Sequence, residues 1–383
     1  MIVARVIVIG AGGAGLCAAI HASIAGHHVV VLDKAKRIGG RGTSQNKDGF
    51  SLHYGPHLID RKGPLFKTAR KLSRIRLSTK SIRMDKIEAA GLGLIRPVNN
   101  IRQAVENKRA LRTMDSNNQY FLAAKFLATW GMAFNKSRWN SFRKNKLCVS
   151  NEGWVGLIGR LSAALDEIGV LIETKSEVTT IKDKQIILTD GRKVECDAII
   201  LACGVNTAKE LLSDIDSQLT TQTFASLKRT TASIIEAGLA SKPMGEKQAI
   251  VDTNQQMAML DYIAIQPRLN SSGSHISAIA VGGLKSDPGA TKYSSNQERL
   301  DKLSQFLDTH ISGWKNHIVA DLRQKSIIIG YDNPIDSMVF NEHGIILAGS
   351  WVTSKYILAD AAAESGKSAG NNLKNLDSIR QLA

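Results

Sequence analysis

Glycines at fixed spacing near the amino end of the chain could hold a phosphate group against the backbone. The pattern G-x-G-x-x-G covers residues 10–15 and directly follows the apolar run 5–9 (RVIVI). Glycine suits these positions because the turn is tight and the backbone must approach a pyrophosphate. A helix that begins there offers free N–H groups and the positive end of its dipole. The residues predicted to bind the phosphates are Gly10, Gly12, Gly13, Ala14 and Gly15.

An acidic residue stands where the ribose of a dinucleotide would lie. Asp33 follows the last glycine of the motif by 18 residues and ends a second apolar run, residues 28–32. A carboxylate there accepts hydrogen bonds from ribose hydroxyls and repels a 2′-phosphate, which disfavours NADP. Lys34, the next residue, belongs to the same predicted site. Residues 16–25 between the runs are rich in Ala and Ile, so the segment predicts a strand, a helix and a second, parallel strand.

A second glycine turn distinguishes between dinucleotides. Gly39 and Gly40 precede Arg41 shortly after Asp33. Here the chain resembles the phytoene desaturase, amine oxidase and protoporphyrinogen oxidase superfamily of flavoproteins, which carries a glycine-glycine-arginine turn soon after the acid of its second strand. The resemblance implies that the cofactor is FAD and that Arg41 and its glycines lie along the pyrophosphate. A basic surface loop is the alternative interpretation.

Two later segments carry the same resemblance. Val178, ahead of the apolar run 198–202, is similar to the family valine whose backbone contacts the adenine. Residues 344–351 (GIILAGSW) and 357–369 (ILADAAAESGKSA) are similar to the carboxyl-terminal flavin motif, where a helix N-terminus faces the isoalloxazine ring. Such a helix end stabilises negative charge on the reduced ring. The residues implied there are Gly349, Ser350, Leu358 and Ala359.

Ser350 departs from the family pattern, which has an acid after the alanine-glycine pair that bonds the ribityl chain. A hydroxyl keeps a hydrogen bond without the charge-assisted strength, which predicts weaker FAD binding or a site that has lost turnover. Some relatives attach FAD through a cysteine near the carboxyl end, but no cysteine follows Cys203 in this chain. FAD is therefore expected to bind non-covalently.

Four cysteines occur in the chain, without a C-x-x-C pair and without metal-ligand spacing. Neither a metal site nor a disulfide framework is therefore expected. These cysteines are Cys17, Cys148, Cys196 and Cys203.

The order of these segments predicts the fold class. We expect an α/β protein with a discontinuous Rossmann-type FAD-binding domain and an α+β substrate domain formed by two inserts. The predicted FAD-binding domain comprises residues 1–60, 151–210 and 330–383. The predicted substrate domain comprises residues 61–150 and 211–329.

Local patterns predict further elements. Apolar residues recur with helical periodicity in residues 154–168 and 296–311. Residues 257–265 and 275–281 predict strands of an antiparallel sheet. The Asp190-Gly191 pair lies between two short apolar stretches, so it predicts a hairpin with a type I′ turn.

Positive charge is concentrated in one insert. The chain has a net charge of +16, and residues 61–146 hold 21 Lys/Arg against 4 Asp/Glu. Such clusters attract anionic lipid headgroups, and they would attract nucleic acid, but no nucleic-acid reading module is recognisable. A solvated face without a partner is the alternative. The basic residues expected at this surface include Arg70, Lys71, Arg74, Arg76, Arg143, Lys144 and Lys146.

Aromatic residues are also enriched in this insert. Phe126, Trp130 and Phe134 recur every four residues, which predicts that they share one face of a helix. A lipophilic substrate channel or a membrane-facing patch is one interpretation of this face. The core of a small helical subdomain is the other.

The expected location follows from absent signals. No apolar run reaches the roughly 20 residues that span a bilayer. The first residues lack the layout of a signal peptide. We therefore expect a cytoplasmic protein, with peripheral attachment to the inner membrane face if the basic insert binds lipid.

The resemblance implies hydride transfer from a lipophilic substrate to flavin N5, in a dehydrogenase, desaturase or oxidase. An FAD-dependent amine oxidase is the alternative enzyme, and a flavin-binding scaffold without turnover is the alternative of another class. An NAD-dependent dehydrogenase is disfavoured by the turn at residues 39–41. The residue pattern specifies neither the substrate nor the oligomeric state. The residues predicted to line the flavin cavity are Tyr54, His57, Trp351 and Tyr356.

Overall fold

The computed structural model describes residues 3–71, 77–182, 184–270, 273–283 and 293–376. In chain order, the strands are β1 (Arg5–Ile9), β2 (His28–Asp33), β3 (Ser44–Lys47), β4 (Phe50–His53), β5 (Ile59–Asp60), β6 (Thr79–Ser81), β7 (Ile87–Ala89), β8 (Gly93–Leu94), β9 (Leu147–Ser150), β10 (Leu171–Thr174), β11 (Val178–Lys182), β12 (Gln185–Leu188), β13 (Lys193–Glu195), β14 (Ala198–Leu201), β15 (Lys228–Leu239), β16 (Ala249–Asp252), β17 (Met257–Asp261), β18 (Ser274–Val281), β19 (Ile318–Asp332) and β20 (Ile345–Leu347). The helices are α1 (Gly13–Ile24), α2 (Pro64–Lys71), α3 (Ile101–Thr113), α4 (Gln119–Thr129), α5 (Lys136–Arg143), α6 (Gly153–Glu167), α7 (Val205–Ser213), α8 (Ser217–Phe224), α9 (Tyr262–Ile265), α10 (Asn296–His310) and α11 (Leu358–Asn371).

A five-stranded parallel sheet forms the core of the nucleotide-binding half. Its order is β10-β2-β1-β14-β20. Successive side chains of β1 point to opposite faces of the sheet. Val6 and Val8 pack toward α1, α6 and α11, while Ile7 and Ile9 pack toward α7, α8 and the small sheet β11-β12-β13. A parallel sheet covered on both faces defines the Rossmann-type architecture. The predicted α/β class is confirmed.

Helices α1 and α11 pack at backbone distance. A Cβ atom added to Gly366 would lie 2.0 Å from the carbonyl oxygen of Ala14, and one added to Gly370 would lie 2.5 Å from that of Ala18. Only glycine allows so close an approach. The two helices therefore join the first and last parts of the chain.

A seven-stranded sheet forms the other half of the molecule. Its order is β19-β15-β18-β17-β16-β7-β8. Neighbours pair antiparallel, except β16 with β7. Because β7 and β8 come from the first insert and β15 to β18 from the second, one sheet joins both inserts. The predicted boundaries at residues 210 and 330 fall inside α7 and β19.

Two local predictions were wrong in detail. The strand predicted over residues 257–265 ends at Asp261, because that carboxylate accepts the backbone N–H groups of Ile263 and Ala264 and starts the short helix α9. The hairpin turn is not type I′, since Gly191 has a φ of 84° while Asp190 is not left-handed. Residues 189–191 form a three-residue connection, in which Gly191 has a positive φ and the two residues before it do not.

The three aromatics spaced by four residues do not share a helical face, so this prediction was wrong. Helix α4 ends at Thr129 because Trp130 adopts a left-handed φ of 53° and Gly131 follows with a φ of 74°. Phe126 and Trp130 are buried in the core, while Phe134 lies beyond the helix and is 42% exposed. Of the basic residues named above, Arg74 and Arg76 lie outside the described residues. No helix of the described segments is long and apolar enough to cross a membrane.

Candidate active site

A cavity of about 600 Å³ lies where the parallel strands end. Residues that follow β1, β2, β14 and β20 form one wall, which is the usual position of a ligand in an open parallel sheet. Ile279 of β18 and Ile327 of β19 lie on the opposite wall. The predicted site residues that line the cavity are Gly10, Gly12, Gly13, Ala14, Asp33, Lys34, Gly39, Gly40, Arg41, Tyr54, His57, Val178, Gly349, Ser350, Trp351, Leu358 and Ala359.

Two predicted site residues do not line the cavity. A Cβ atom on Gly15 would lie 1.8 Å from the carbonyl oxygen of Gly10, so this glycine packs α1 against the end of β1. Tyr356 precedes α11, and the Lys355 ammonium lies 5.6 Å from the centre of its ring. Both residues lie outside the walls of the cavity.

The amino end of α1 forms the part of the cavity suited to a pyrophosphate. The helix begins at Gly13 without a side-chain cap, so its first N–H groups stay available. A Cβ atom on Gly12 or Gly13 would meet no atom within 4 Å, because both glycines face the open cavity. Backbone donors at a helix start therefore face a space that a phosphate can enter.

Asp33 is held in place by backbone donors at the end of β2. Its Oδ2 accepts the Ala11 N–H at 2.6 Å and its Oδ1 accepts the Ala35 N–H at 2.8 Å. Lys34 extends the other way, with Nζ 3.4 Å from the Glu177 carboxylate. The aspartate is thereby fixed beside the glycine turn, where it can accept hydrogen bonds from ribose hydroxyls.

Arg41 joins the two motifs that lie farthest apart in the sequence. Its Nη2 donates to Ser350 Oγ and its Nη1 donates to the Ile328 carbonyl oxygen at 3.2 Å. Arg41 has no carboxylate partner within 4 Å among the described residues. The serine therefore leaves the guanidinium charge uncompensated, and an anion in the cavity can balance it.

The amino end of α11 enters the cavity on the other side of the glycine turn. Leu358 and Ala359 begin this helix without a side-chain cap. Asp360 follows in the first turn, is buried, and lies 3.6 Å from the buried Arg138 of α5. Burial raises the pKa of the Asp360 carboxyl to about 7, although Arg138 opposes the shift. Asp60 also lines this part of the cavity.

A buried polar network borders the cavity near the seven-stranded sheet. The His57 Nδ1 lies 3.0 Å from the Tyr262 hydroxyl, and the His53 ring lies 4.6 Å from the His57 ring. His275 Nε2 lies 2.8 Å from the buried Glu236 carboxylate. Burial lowers the pKa of His57 to about 3 and that of His53 well below its usual range. Both imidazoles are therefore neutral at neutral pH.

Sequence reasoning missed most of the cavity residues outside the glycine motifs. Arg138, Asp60 and Asp360 come from three distant segments. His53, Glu236 and His275 likewise meet only in the folded chain. A charged residue in an alanine-rich run, as at Asp360, was the one signal available. Within the described residues, no group of His, Cys, Asp and Glu has the geometry of a metal site.

Comparison with known proteins identifies the family. The family model described as FAD-dependent oxidoreductase matches residues 5–364. The chain belongs to this family. The predicted FAD cofactor and oxidoreductase class are thereby confirmed, and the residues around the cavity fit FAD. Its pyrophosphate would lie at α1 and Arg41, its ribose at Asp33, and its ring near α11.

Individual relatives place this oxidoreductase among known folds. A protein from Pyrococcus furiosus has 18% identity and a TM-score of 0.72, over 96% of this chain and 98% of that one. A double mutant of putrescine oxidase has 13% identity and a TM-score of 0.66, over 97% and 99%. The 4,4'-diapophytoene desaturase of Staphylococcus aureus (strain Newman) is 40% identical over 55 residues, which are 14% of this chain and 11% of that protein. The two solved structures show that the chain shares their fold, and the desaturase is similar to this chain over a short segment only.

Proposed function

We propose that this FAD-dependent oxidoreductase removes a hydride from a C–H bond of a lipophilic substrate. The observation that carries the proposal is the apolar wall opposite the nucleotide-binding glycines. Hydrocarbon surface there binds hydrocarbon, because burial removes both from water. The side chains of this wall are Leu58, Trp130, Ile279, Ile327 and Ile329.

The neutral histidines support the same substrate class. His53 and His57 line the cavity beside this wall, and their lowered pKa values keep both rings uncharged. An uncharged wall costs less free energy to remove from water than a charged one, which favours binding of a lipophilic substrate there. FAD held at α1, Asp33 and Arg41 would supply the two-electron acceptor for the hydride, and oxygen, a quinone or another acceptor would reoxidise it. The chain itself would hold the substrate carbon near the ring and exclude water.

Amine oxidation is the second candidate. The carboxyl groups of Asp60 and Asp360 line the cavity and could attract an ammonium group. The buried Arg138 guanidinium, 3.6 Å from Asp360, opposes a cationic substrate at the same place. Each candidate reaction is represented among the proteins compared above, since one is a desaturase of a polyene and another is an oxidase of an amine.

Anaerobic flavin bleaching distinguishes these candidates. The protein is first shown to release FAD on denaturation, which checks the non-covalent cofactor. Polyenes and long-chain hydrocarbons in detergent are then compared with amines as reductants of the bound flavin. We expect bleaching by a lipophilic compound, and faster bleaching than by any amine.

A matched pair of variants connects bleaching with the apolar wall. Ile327→Asn places an amide in the wall, whereas Ile318→Asn changes the same strand away from the cavity. We expect the first variant alone to slow bleaching while it keeps its flavin spectrum. Bleaching by amines only would contradict the proposal. A flavin that dithionite reduces but no candidate substrate reduces would indicate a scaffold without turnover.

A further inference from the structure

Three aliphatic side chains around the start of α3 are unusually exposed. Val98 is 74% exposed, Ile101 is 79% exposed and Val105 is 61% exposed. Single exposed aliphatic residues are common on protein surfaces. Here three lie within eight residues, one just before α3 and two in α3, a helix that buries its other side, so together they form a surface that contributes nothing to the core.

Helical geometry places basic residues on the same side. Ile101, Val105, Lys108 and Arg112 follow the spacing of one stripe along α3. The opposite side packs inward, with Asn107, Ala110 and Leu111 buried and α4 next to it. The outer side therefore carries aliphatic residues in its first turns and cations in its last turns.

These cations are largely free to bind an external anion. Lys108, Arg109 and Arg112 are exposed and form no ion pair within the described residues. Arg102 pairs with Glu106 at 3.0 Å, the acidic residue of this helix. The insert that contains α3 also carries the positive excess of the whole chain. Three of the four cations of α3 are thus not neutralised by an acidic partner within the described residues.

We propose that this surface docks on an anionic lipid bilayer. The α3 face is defined as Arg96, Val98, Ile101, Arg102, Val105, Lys108, Arg109 and Arg112. An interfacial helix inserts aliphatic side chains below the headgroups while Lys and Arg bind the lipid phosphates. A nucleic acid would use the cations but would give the exposed valines and isoleucine no apolar partner. The combination of both side-chain types favours lipid.

Vesicle binding of the full-length, FAD-loaded protein tests this proposal. The protein is sedimented with phosphatidylcholine vesicles that contain or lack phosphatidylglycerol, at low and high salt. We expect binding only to the anionic vesicles, and we expect salt to weaken it by screening. A protein that ignores anionic vesicles at low salt overturns the proposal.

Two surface variants separate the contributions of charge and apolar contact. The triple variant Lys108→Gln, Arg109→Gln, Arg112→Gln should weaken vesicle binding about 100-fold. The double variant Ile101→Ser, Val105→Ser should weaken it about 10-fold at unchanged net charge. All five positions are exposed, so folding is not at risk.

Matched controls change equal numbers of residues elsewhere. Lys182→Gln, Lys193→Gln, Lys228→Gln removes three exposed lysines, and Val155→Ser, Val319→Ser changes two exposed valines. Neither should alter binding. An equal loss in the lysine control would mean that only net charge matters and would overturn the proposal. Duplex DNA or RNA that binds more tightly, with no effect of the serine variant, would assign the surface to nucleic acid. Flavin bleaching is measured separately, so either proposal can fail alone.

Discussion

The two ends of the cavity are built in different ways. The nucleotide end uses short continuous stretches, residues 10–14, 39–41 and 349–350, and presents uncapped backbone N–H groups at the start of α1. The opposite end combines Trp130 from the end of one helix with Ile327 from a strand almost 200 residues later. The nucleotide end is therefore shaped by local backbone conformation, whereas the opposite end is shaped by long-range packing. Changes at the two ends should therefore affect different measurements.

The largest effect should come from the ion pair in the cavity wall. Arg138→Leu leaves the Asp360 carboxyl buried without its partner, and also removes hydrogen bonds to the carbonyl oxygens of Ala128 and Leu58. We expect the free energy of unfolding to fall by about 3–5 kcal/mol. Denaturant titration measures this loss. Arg143→Leu in the same helix, at a half-buried arginine without an ion pair in the described structure, should change it by less than about 0.5 kcal/mol. Equal losses in both variants would contradict a special role for the pair.

A substitution at the nucleotide end should remove the cofactor without unfolding the chain. Gly12→Val places a side chain in the open cavity, where FAD phosphates would lie, and it meets no protein atom at its Cβ. We expect FAD affinity to fall about 100-fold. Equilibrium dialysis of the apoprotein with FAD measures it. Gly159→Val, on an exposed position of α6 with equally open space, should bind FAD normally. Normal binding by the Gly12 variant would place the phosphates elsewhere.

The pH dependence of stability should reveal the buried carboxyl. Burial raises the pKa of Asp360 to about 7, whereas an unfolded aspartate titrates near about 3.9. At a pH between these two pKa values, Asp360 of the folded protein is protonated, whereas in the unfolded chain it has released its proton. This contribution to the free energy of unfolding is therefore complete below about pH 4 and is lost as the pH rises to about 7. Asp360→Asn should flatten the profile in that window. An unchanged profile would show that another group titrates.

The smallest effect should come from the bond between the two motifs at the nucleotide end. Ser350→Ala removes the hydroxyl that accepts from Arg41. A single hydrogen bond of this kind contributes about 1 kcal/mol, so we expect FAD affinity to fall about 5-fold. Thr353→Ser, a conservative change in the same loop away from the cavity, is the control. A loss as large as that of Gly12→Val would mean that Ser350 contacts FAD directly.

The difference between the two ends of the cavity also explains which residues could be predicted from the sequence. The strands, the helix and the glycine turn around Asp33 follow from residues within 40 positions, so their pattern was readable. Resemblance added Val178 and Gly349, which lie far along the chain. Of all the predicted site residues, only Gly15 and Tyr356 do not border the cavity, and the individual roles of the others stay predictions.

The opposite end of the cavity could not be predicted, because the residues that meet there are distant in sequence. Nothing in the residues around Arg138 indicates Asp360, 222 positions later. The rings of His53 in β4 and His275 in β18 likewise lie 5.8 Å apart although the two strands belong to different sheets, which no local pattern shows. The error at Phe134 had a visible warning, since Gly131 is a common helix stop. The four-residue spacing was read across that stop.

The backbone contact between α1 and α11 has a consequence for synthesis on the ribosome. Helix α1 is synthesised long before its partner α11, which contains Gly366 and Gly370 and begins 334 positions after α1 ends. β20 is also late, although it completes an edge of the parallel sheet. A nascent chain therefore exposes apolar residues of α1 until α11 has been made, and is open to aggregation or chaperone capture meanwhile. FAD present during translation should find a complete pocket only after α11 has been made.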